Sequence, residues 1–426
     1  MCDRKDCGMN DICNRLKVVG SHMDAGGYTV MIIGLGSVGT YLLDFLVSDA
    51  DEAMRIVVVG RTREKLEEKV NIVRIAALIR EKMRSQIEIA DGVDLTDIDA
   101  VRRVIERYKP DFIVNSSRAY PGLKYGSISW TNFRAYGIWS PLAIRFTKNI
   151  MQAVSDACAD AIVINTSYSD AVIPWMKSAG KAYPDFGSGN INHLVPRIRY
   201  AVADMLGVRD YWDVDVIFAA GHFHDVVISK EGQTEGVELP LSVFYRGEEI
   251  KIVGGASSTE PNSDSRSIEK SEIFSRCAIA MPSDTQRNMM NASSNYRIIS
   301  SIIDVLRGAD ARRLFIPGAD GHIGGYPVMV GRRDGVNGYQ TDADKGIVDA
   351  WIDESMFSLE EMEEANRRSL YLDGIEDVKD GTLYYTDELL EKVYNAFDVK
   401  LPKSVSWGEI EDTAEFLIKE IIMKES

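Results

Sequence analysis

A glycine-rich turn near the start of the chain has the residue types and the spacing that bind phosphate groups. Gly34, Gly36 and Gly39 form a G-x-G-x-x-G pattern between a β-branched apolar run and an apolar helical pattern. The first glycine permits a sharp bend, the second lets the backbone approach a pyrophosphate, and the third lets helix and strand pack closely. The pattern predicts dinucleotide binding at a helix N-terminus; the alternative is a tight turn that holds no ligand. The residues expected to form this binding site are Gly34, Gly36, Ser37, Val38 and Gly39.

Two histidines in the middle of the chain have the chemistry of a general acid and base near neutral pH. His222 and His224 follow the apolar run 216–221, which predicts a strand. Residues i and i+2 of a strand point to the same side, so both could face one site. The alternative is one structural and one exposed histidine. An arginine nearby would hold a substrate carboxylate. The side chains expected to carry this chemistry are His224, His222, Arg197, His193 and Arg118.

The segment after the second predicted strand bears on the choice between NADP and NAD. A carboxylate at this position would accept hydrogen bonds from the 2′-hydroxyl of the adenosine ribose and favour NAD. The chain instead has Arg61, Thr62 and Arg63 after Gly60. Guanidinium groups pair well with a 2′-phosphate. We therefore expect NADP, with NAD possible if these side chains are only solvated.

Alternating strands and helices place these residues at one edge of a sheet. Four strands alternate with three helices up to Asn115, and a further strand ends at Asn165. This order predicts an α/β fold with a doubly wound parallel sheet of Rossmann type. Ser116 and Asn165 then lie at the carboxyl ends of strands, where ligands bind. The long connection 116–139 is a candidate lid or, alternatively, a surface or subunit contact.

Three later segments resemble the lactate/malate dehydrogenase family. They are R-I-R-Y at 197–200, closed by L-G-V at 206–208, then A-A-G-H-F-H-D at 219–225, and Y-P-V-M-V-G-R-R-D-G-V at 326–336. They are similar to the family's R-F-R-Y helix, its G-E-H-G-D segment with the catalytic histidine, and a late hairpin. The resemblance covers about residues 28–370. It implies a Rossmann domain followed by an α+β substrate domain, a histidine acid/base, an arginine for an acidic substrate, and a homo-oligomer.

The chain departs from the family's pattern around the catalytic histidine. One residue is inserted before Arg197, so the family's orienting aspartate falls near His193, where the chain has no carboxylate. Either member of the later histidine pair could be the equivalent of the catalytic histidine. We expect Asp225, Asn192 or a backbone carbonyl to fix its ring. His193 is expected to be a structural hydrogen-bonding residue or to donate to the substrate in place of the aspartate.

The segments divide the chain into four parts. Residues 1–23 end in Gly-Ser-His-Met, which is typical of a cloning scar, and are interpreted as an expression tag. Residues 24–166 are expected to form the dinucleotide-binding domain and residues 167–370 the substrate domain. Residues 371–426 are expected to form a helical C-terminal extension.

Together these features predict an NAD(P)-dependent oxidoreductase that transfers a hydride between nicotinamide and a hydroxy- or keto-acid-like small molecule, with no bound metal. Two alternatives stay open. His-x-His with Asp225 and His193 could bind a divalent metal, as in NAD- and metal-dependent glycosidases of related fold, although the cysteine of their metal site is absent after Asn165. A non-catalytic dinucleotide-binding regulator would need no convergent histidine and arginine.

The amino-acid composition limits the classes of partner that the protein is expected to bind. The 426 residues include 49 basic and 65 acidic ones, which give a net charge of −16 and argue against a nucleic-acid partner. No apolar run is long enough to span a bilayer. Outside the expected tag the cysteines are Cys158 and Cys277, which fits a reducing compartment. We therefore expect a cytoplasmic homodimer or other homo-oligomer whose partner is a small acidic substrate.

Overall fold

Six parallel strands form the central sheet. The computed structural model describes residues 12–22, 27–49, 51–189, 191–254, 267–333 and 346–424. The strands are β1 Thr29–Ile33, β2 Arg55–Val59, β3 Gln86–Ala90, β4 Phe112–Asn115, β5 Ile162–Asn165 and β6 Phe186–Gly187. Their order in the sheet is β3-β2-β1-β4-β5-β6, which is the Rossmann order. The predicted fold class is confirmed.

Helices cover both faces of this sheet. They are α1 Ile12–Ser21, α2 Ser37–Val47, α3 Arg63–Ile79, α4 Ile98–Tyr108, α5 Gly122–Asn132, α6 Ser140–Asp156 and α7 Ser169–Ser178. In β1, Met31 and Ile33 belong to the core on one face, while Val30 and Ile32 belong to the core on the other. Burial on both faces explains why the strand is a continuous apolar run.

Antiparallel sheets and further helices form the second part of the fold, as the expected α+β arrangement requires. The elements are α8 Ile191–Met205, β7 Val214–Phe218, α9 His222–Glu231, β8 Leu241–Tyr245, β9 Glu248–Glu249, β10 Ile252–Val253, β11 Ile268–Glu269, α10 Lys270–Cys277, α11 Asn288–Leu306, β12 Arg312–Pro317, β13 Gly325–Arg333, β14 Ile347–Ile352 and α12 Leu359–Leu372. The antiparallel sheets are β7-β8-β9 and β12-β13-β14, and β10 pairs with β11 in parallel. Among the described residues, no helix combines the length and apolar character needed to cross a membrane.

The C-terminal extension contains strands as well as helices. Its elements are β15 Ile375–Lys379, β16 Thr382–Tyr385, α13 Asp387–Phe397, β17 Ser404–Ser406, α14 Ile410–Leu417 and a π-helical turn Ile418–Ile422. Asp380 and Gly381 join β15 to β16 with φ of 50° and 71°, as a two-residue type I′ hairpin turn requires. The prediction of a helical extension is therefore incomplete, since it overlooks this Asp-Gly signal. Tyr385 and Leu383 pack into the core of the Rossmann part.

Part of the expected tag packs against the fold. Leu16 and Val19 of α1 are buried. Arg15 pairs with Asp185 at 2.6 Å, and His22 lies 2.6 Å from the carboxylate of Asp111. Burial of these side chains does not show whether the segment is natural or an expression tag. The interpretation of residues 1–23 as a tag therefore stays a prediction. Residues 1–11 and 23–26 lie outside the described residues.

Candidate active site

The glycine turn leaves space for a pyrophosphate at one position only. Gly34 has a φ of 89°, and a Cβ there would lie 2.7 Å from the Cα of Ser117. A Cβ on Gly39 would lie 2.4 Å from the Gly34 carbonyl oxygen, whereas one on Gly36 would meet no atom within 4 Å. Gly34 and Gly39 are thus required for packing, and Gly36 opens the backbone to a ligand. The helix that follows begins at Ser37, so this turn fits a dinucleotide pyrophosphate.

Polar side chains tie together the strand ends beside this turn. Ser116 donates a 2.6 Å hydrogen bond to the Gly34 carbonyl oxygen. Asn165 is fully buried; its Oδ1 accepts from Asn115 and Thr147, and its Nδ2 donates to the oxygens of the residues at 167 and 169. Ser116 and Asn165 were both predicted to bind the cofactor. Their side chains instead stabilise the strand ends through hydrogen bonds within the protein.

The two arginines after β2 differ in their surroundings. Arg63 donates to Glu67 at 2.8 Å and to Asp91 at 3.0 Å. Thr62 is the residue that precedes α3. Arg61 is exposed, and within the described part of the chain its charge acts on Asp94 without a salt bridge between the two side chains. Arg61 is thus the guanidinium of this segment that stays open to an external anion.

The strand predicted before His222 is shorter than expected, which changes the roles of both histidines. β7 ends at Phe218, and α9 begins at His222 after the extended residue Gly221. Residues two apart on an α-helix are separated by about 200° around its axis. The prediction that His222 and His224 face the same side is therefore wrong. The apolar pattern continues over residues 219–220, beyond the hydrogen-bonded ladder, and so overestimates the strand.

His222 forms a buried pair with a carboxylate from the far end of the chain. Its Nδ1 lies 2.8 Å from Asp373 Oδ2, and the Asp373 side chain is 4% exposed. Oδ2 also accepts a hydrogen bond from the Tyr168 hydroxyl, and Oδ1 accepts one from the Tyr136 backbone N–H, both at 2.7 Å. Burial opposes the charge on His222, but Asp373, with smaller contributions from Asp170 and Asp225, outweighs burial and raises the pKa of His222 above its ordinary value. This pairing prepares the ring to hold a proton near neutral pH.

Arg118 is linked to this pair by two tyrosines. Its Nη1 donates to the hydroxyls of Tyr125 at 3.0 Å and Tyr136 at 3.4 Å. The Tyr136 ring lies 4.8 Å from the His222 ring, centroid to centroid. Over the described ranges no carboxylate pairs with Arg118. A guanidinium charge near His222 is therefore balanced only by phenol dipoles.

The surroundings of His224 indicate a structural role for this side chain. It is fully buried, and its Nε2 lies 3.0 Å from the carbonyl oxygen of Thr234. Burial lowers the pKa of His224 to about 4. Because the unfolded chain would bind the proton from about pH 6.5 downward, this histidine reduces stability as the pH falls from there toward 4. The buried neutral ring is unsuited to exchange protons with a substrate.

His193 faces an aspartate on the neighbouring helix. Its Nδ1 lies 3.6 Å from Asp225 Oδ2, and both side chains are about nine-tenths buried. The other ring nitrogen, Nε2, and the other carboxylate oxygen, Oδ1, are enclosed without a hydrogen-bond partner within the described residues. Asp225 was expected to fix the catalytic ring; it contacts His193 instead. Asn192 was another residue expected to fix the catalytic ring, but its amide donates to the Phe315 carbonyl oxygen.

Arg197 lies one helical turn after His193 and binds backbone. Its Nη1 donates to the carbonyl oxygens of Cys277 at 2.9 Å and Ser229 at 3.3 Å. Burial lowers the pKa of Arg197, and Asp225 opposes this effect. The guanidinium therefore has no direct carboxylate partner in the parts of the chain that the structure describes.

Among the described residues, no set of side chains supports the metal-binding alternative. His224 turns toward Thr234 while His222 turns toward Asp373, so the two rings do not converge. The described residues contain no group of three or more His, Cys, Asp and Glu side chains arranged to hold a metal ion.

Two residues of the site lie outside the motifs. Asp373 belongs to the segment that the resemblance does not cover, 151 positions from His222. Tyr168 follows the strand end at Asn165, and its φ of 44° turns it toward Asp373. No spacing links these positions to the histidine, so the sequence offered only one weak signal, the location of Tyr168 after a strand.

The histidine assignments predict separate titrations in solution. The chain has five histidines, so single His→Gln variants can assign each imidazole signal in a nuclear magnetic resonance titration. We expect His224 to stay neutral down to about pH 4 and His222 to titrate above its ordinary value of 6.5. Asp373→Asn should lower the pKa of His222, because it removes the neighbouring charge. Asp377→Asn, on an exposed ion pair with Lys379, is the control. An unchanged His222 titration in Asp373→Asn would contradict the pairing.

Comparisons with known proteins agree with this architecture. Residues 30–124 match the family model described as the saccharopine dehydrogenase NADP binding domain. No curated protein matches the chain. Malate dehydrogenase from Cryptosporidium parvum is 15% identical, with 82% of this chain and 98% of that chain covered and a TM-score of 0.50. The lactate dehydrogenase of the same organism, complexed with lactic acid and nicotinamide adenine dinucleotide, is 14% identical over 82% and 98%, with a TM-score of 0.45. Malate dehydrogenase from Salinibacter ruber is 14% identical over 87% and 99%, with a TM-score of 0.48.

At these identities the similarity to solved structures establishes the fold and nothing finer. The match over 30–124 includes the glycine turn, the segment after β2 and Ser116, and it agrees with a nicotinamide dinucleotide as the cofactor. The sequence resemblance is thus confirmed at the level of architecture: the chain has a Rossmann fold similar to that of malate dehydrogenase from Cryptosporidium parvum.

Proposed function

We propose that the protein is an NAD(P)-dependent oxidoreductase that transfers a hydride between nicotinamide and a small hydroxy or keto acid, with His222 as the general acid and base. One observation carries the proposal: the His222–Asp373 pair lies at the strand ends that also carry the glycine turn. Ser117 touches Gly34, the next residue is Arg118, and Arg118 binds the tyrosine that stacks beside His222. These contacts support the proposal that the acid/base group and the dinucleotide cradle share one crevice.

The hydrogen bonds around Asp373 support one position for the proton on the His222 ring. Asp373 accepts from Tyr168 and Tyr136, so the carboxylate is held as an acceptor and His222 Nδ1 carries a hydrogen toward it. Nε2 is then the atom that takes the hydroxyl proton during oxidation and returns it during reduction. Nicotinamide, when bound, accepts or supplies the hydride. Asp373 acts through His222 by fixing its tautomer and its orientation.

Arg118 is the proposed anchor for the substrate carboxylate on the Rossmann side of the crevice. Its charge has no carboxylate partner among the described residues, and the tyrosines that hold it leave the planar guanidinium fixed. A fixed guanidinium can bind a carboxylate through two parallel hydrogen bonds. The proposed substrate is therefore acidic.

We further propose that NADPH binds more tightly than NADH through Arg61. Because Arg63 already pairs with Glu67 and Asp91, Arg61→Ala should remove most of the preference. We expect its NADPH dissociation constant to rise about tenfold, as for loss of one charge-assisted hydrogen bond, with NADH unaffected. Fluorescence titration of both cofactors measures this. Arg102→Ala, an exposed paired arginine on α4, is the matched control. Equal affinity of the wild type for both cofactors would contradict the proposal.

The proton-transfer role predicts a loss of turnover without loss of cofactor binding. His222→Ala should lower kcat by roughly 10²–10⁴-fold in a screen of hydroxy and keto acids that follows the absorbance of the reduced nicotinamide. Asp373→Asn should lower kcat less and shift the pH profile to lower pH, because His222 loses the charge that raises its pKa.

His224→Gln is the control, since its amide can still donate to Thr234 and the ring it replaces is buried. NADPH titration should give the wild-type affinity for all three variants. Full turnover in His222→Ala would refute the assignment. Loss of activity on adding a chelator, restored by a divalent ion, would favour the metal-dependent alternative.

Self-association remains part of the proposal. α3 exposes four large aliphatic side chains, Ile72, Ile75, Leu78 and Ile79, each at least half accessible. Exposed apolar surface of this kind is typical of protein contacts. We expect light scattering to show a homodimer or larger homo-oligomer at micromolar concentration, and a monomer would contradict this. The cytoplasmic location and the absence of a nucleic-acid partner stay predictions.

A further inference from the structure

A helix from the second part of the fold begins beside the glycine turn. Asn288, the first residue of α11, donates from its side-chain Nδ2 to Ser37 Oγ at 2.6 Å. Ser37 is the first residue of α2, and it follows Gly36, where the backbone has open space beside it. Two polar side chains, one from each part of the fold, therefore border the position that fits a pyrophosphate.

The helices α2 and α11 run parallel and in the same register. Beyond the contact between Asn288 and Ser37, the ring of Tyr296 lies 6.1 Å from the ring of Phe45, centroid to centroid. Tyr296 is eight residues after Asn288, and Phe45 is eight residues after Ser37. The Tyr296 hydroxyl also donates to Asp49 Oδ2, just after α2, at 2.7 Å. The N-terminal ends of the two helices therefore lie side by side.

Apolar packing fixes this arrangement. The two helices contact each other, and one hydrophobic core contains buried side chains from both of them, namely Leu42, Leu46, Ala292 and Ile299. A shift of α11 along α2 would expose this apolar surface to water, which is unfavourable. The amide of Asn288 is thus held next to the glycine turn by the packing of its helix, and not by its hydrogen bond alone.

Polar contacts continue along the same helix to other strand ends. Asn295 Nδ2 donates to Thr166 Oγ1, directly after β5, at 3.1 Å. Ser294 Oγ accepts a 3.1 Å hydrogen bond from the backbone N–H of Gly189, which follows β6. With Ser37, α11 thus contacts the segments that follow β1, β5 and β6. Ligands of Rossmann folds bind at these carboxyl ends, so the first turns of α11 border the proposed cofactor crevice.

The donors and charges at the start of α11 favour an anion. An amide nitrogen has two hydrogens, so Asn288 keeps one after its bond to Ser37, and the Ser37 hydroxyl accepts that bond without using its own hydrogen. The first turns of α2 and α11, both within the described residues, contain no acid. Arg287 precedes Asn288 and adds a positive charge. Asp284, the acid before it, is exposed and accepts from the backbone N–H of Gln286.

We propose that Asn288 and Ser37 together bind the pyrophosphate of the nicotinamide dinucleotide, so that the second part of the fold contributes a cofactor-binding side chain. This inference rests on the proposed function, because it takes the glycine turn to hold such a dinucleotide. Hydrogen bonds from directed donors to phosphate oxygens are strong because the acceptor is charged. The bond to Ser37 orients the amide for this contact. Asn288 lies 251 positions from Ser37, and no motif contains both residues.

A cofactor fragment without nicotinamide tests the contact with the pyrophosphate. Asn288→Asp keeps the size of the side chain, and its carboxylate can accept from the Ser37 hydroxyl, so the link between the helices is retained while a negative charge faces the phosphates. In calorimetric titration with 2′-phospho-ADP-ribose, Asn288→Ala should raise the dissociation constant about tenfold, as for one lost charge-assisted hydrogen bond. Asn288→Asp should raise it further. Asn395→Asp, at an exposed position of α13, controls for the added charge and should bind as the wild type does.

The two possible roles of the Asn288–Ser37 contact give opposite results. If the hydrogen bond only joins the helices, Asn288→Asp binds the fragment as tightly as the wild type, which would overturn the inference. Weaker NADPH binding with unchanged binding of the fragment would assign Asn288 to the nicotinamide or the substrate and overturn it as well. Ser37→Ala, which removes one hydroxyl, should weaken the fragment several-fold with an unchanged thermal unfolding midpoint. If the wild-type protein binds neither NADPH nor the fragment, the proposed function itself is wrong.

Discussion

The carboxylate of Asp373 is the interaction on which the geometry of the candidate site depends. It accepts hydrogen bonds from Tyr168 after β5 and from the backbone of Tyr136 before α6, and it lies 2.8 Å from Nδ1 of His222 at the start of α9. A carboxylate with 4% of its side chain exposed is stable in its charged form only when its oxygens are well bonded. The need to satisfy this one charge therefore fixes the Rossmann strand ends, the connection after β4 and the substrate part relative to one another.

Backbone close approaches bring Asp373 to this position. A Cβ on Gly221 would lie 2.8 Å from Ser369 Oγ, so the absence of a side chain lets the last turn of α12 lie against the start of α9. Gly137 donates from its backbone N–H to the Asp373 carbonyl oxygen at 2.8 Å, and a Cβ on Gly137 would lie 2.6 Å from that oxygen. The candidate lid is thus a helix and a turn that pack against the C-terminal segment. The extension is part of the site's architecture, because its first residues supply the carboxylate.

The sequence was sufficient for the features that depend on local spacing. The apolar runs predict a parallel sheet because each strand is buried on both faces, and the glycine turn predicts a cradle because Gly36 has open space beside it. Sequence reasoning failed where a contact joins distant segments. Asp373 and His222 share no motif, and periodicity could not show that the residues after Phe218 leave the ladder and begin a helix. The Asp380-Gly381 turn differs from these contacts, because the two adjacent residues alone indicate a hairpin. The prediction of a helical extension did not use this local signal.

The arrangement of His193 and Asp225 differs from the one that the sequence resemblance implies. In the family that the chain resembles, an aspartate on the R-F-R-Y helix orients a histidine after the following strand. Here the histidine lies on α8 and the aspartate on α9, with 3.6 Å between His193 Nδ1 and Asp225 Oδ2, so the order of the two residue types is the reverse of the one that the resemblance implies. Asp225 therefore contacts His193, and His222 pairs with Asp373 instead. Asp225 also acts on Arg197, where it opposes the lowering of the guanidinium pKa by burial. The carboxylate of the candidate catalytic histidine therefore comes from Asp373, which lies outside the segments that carry the resemblance.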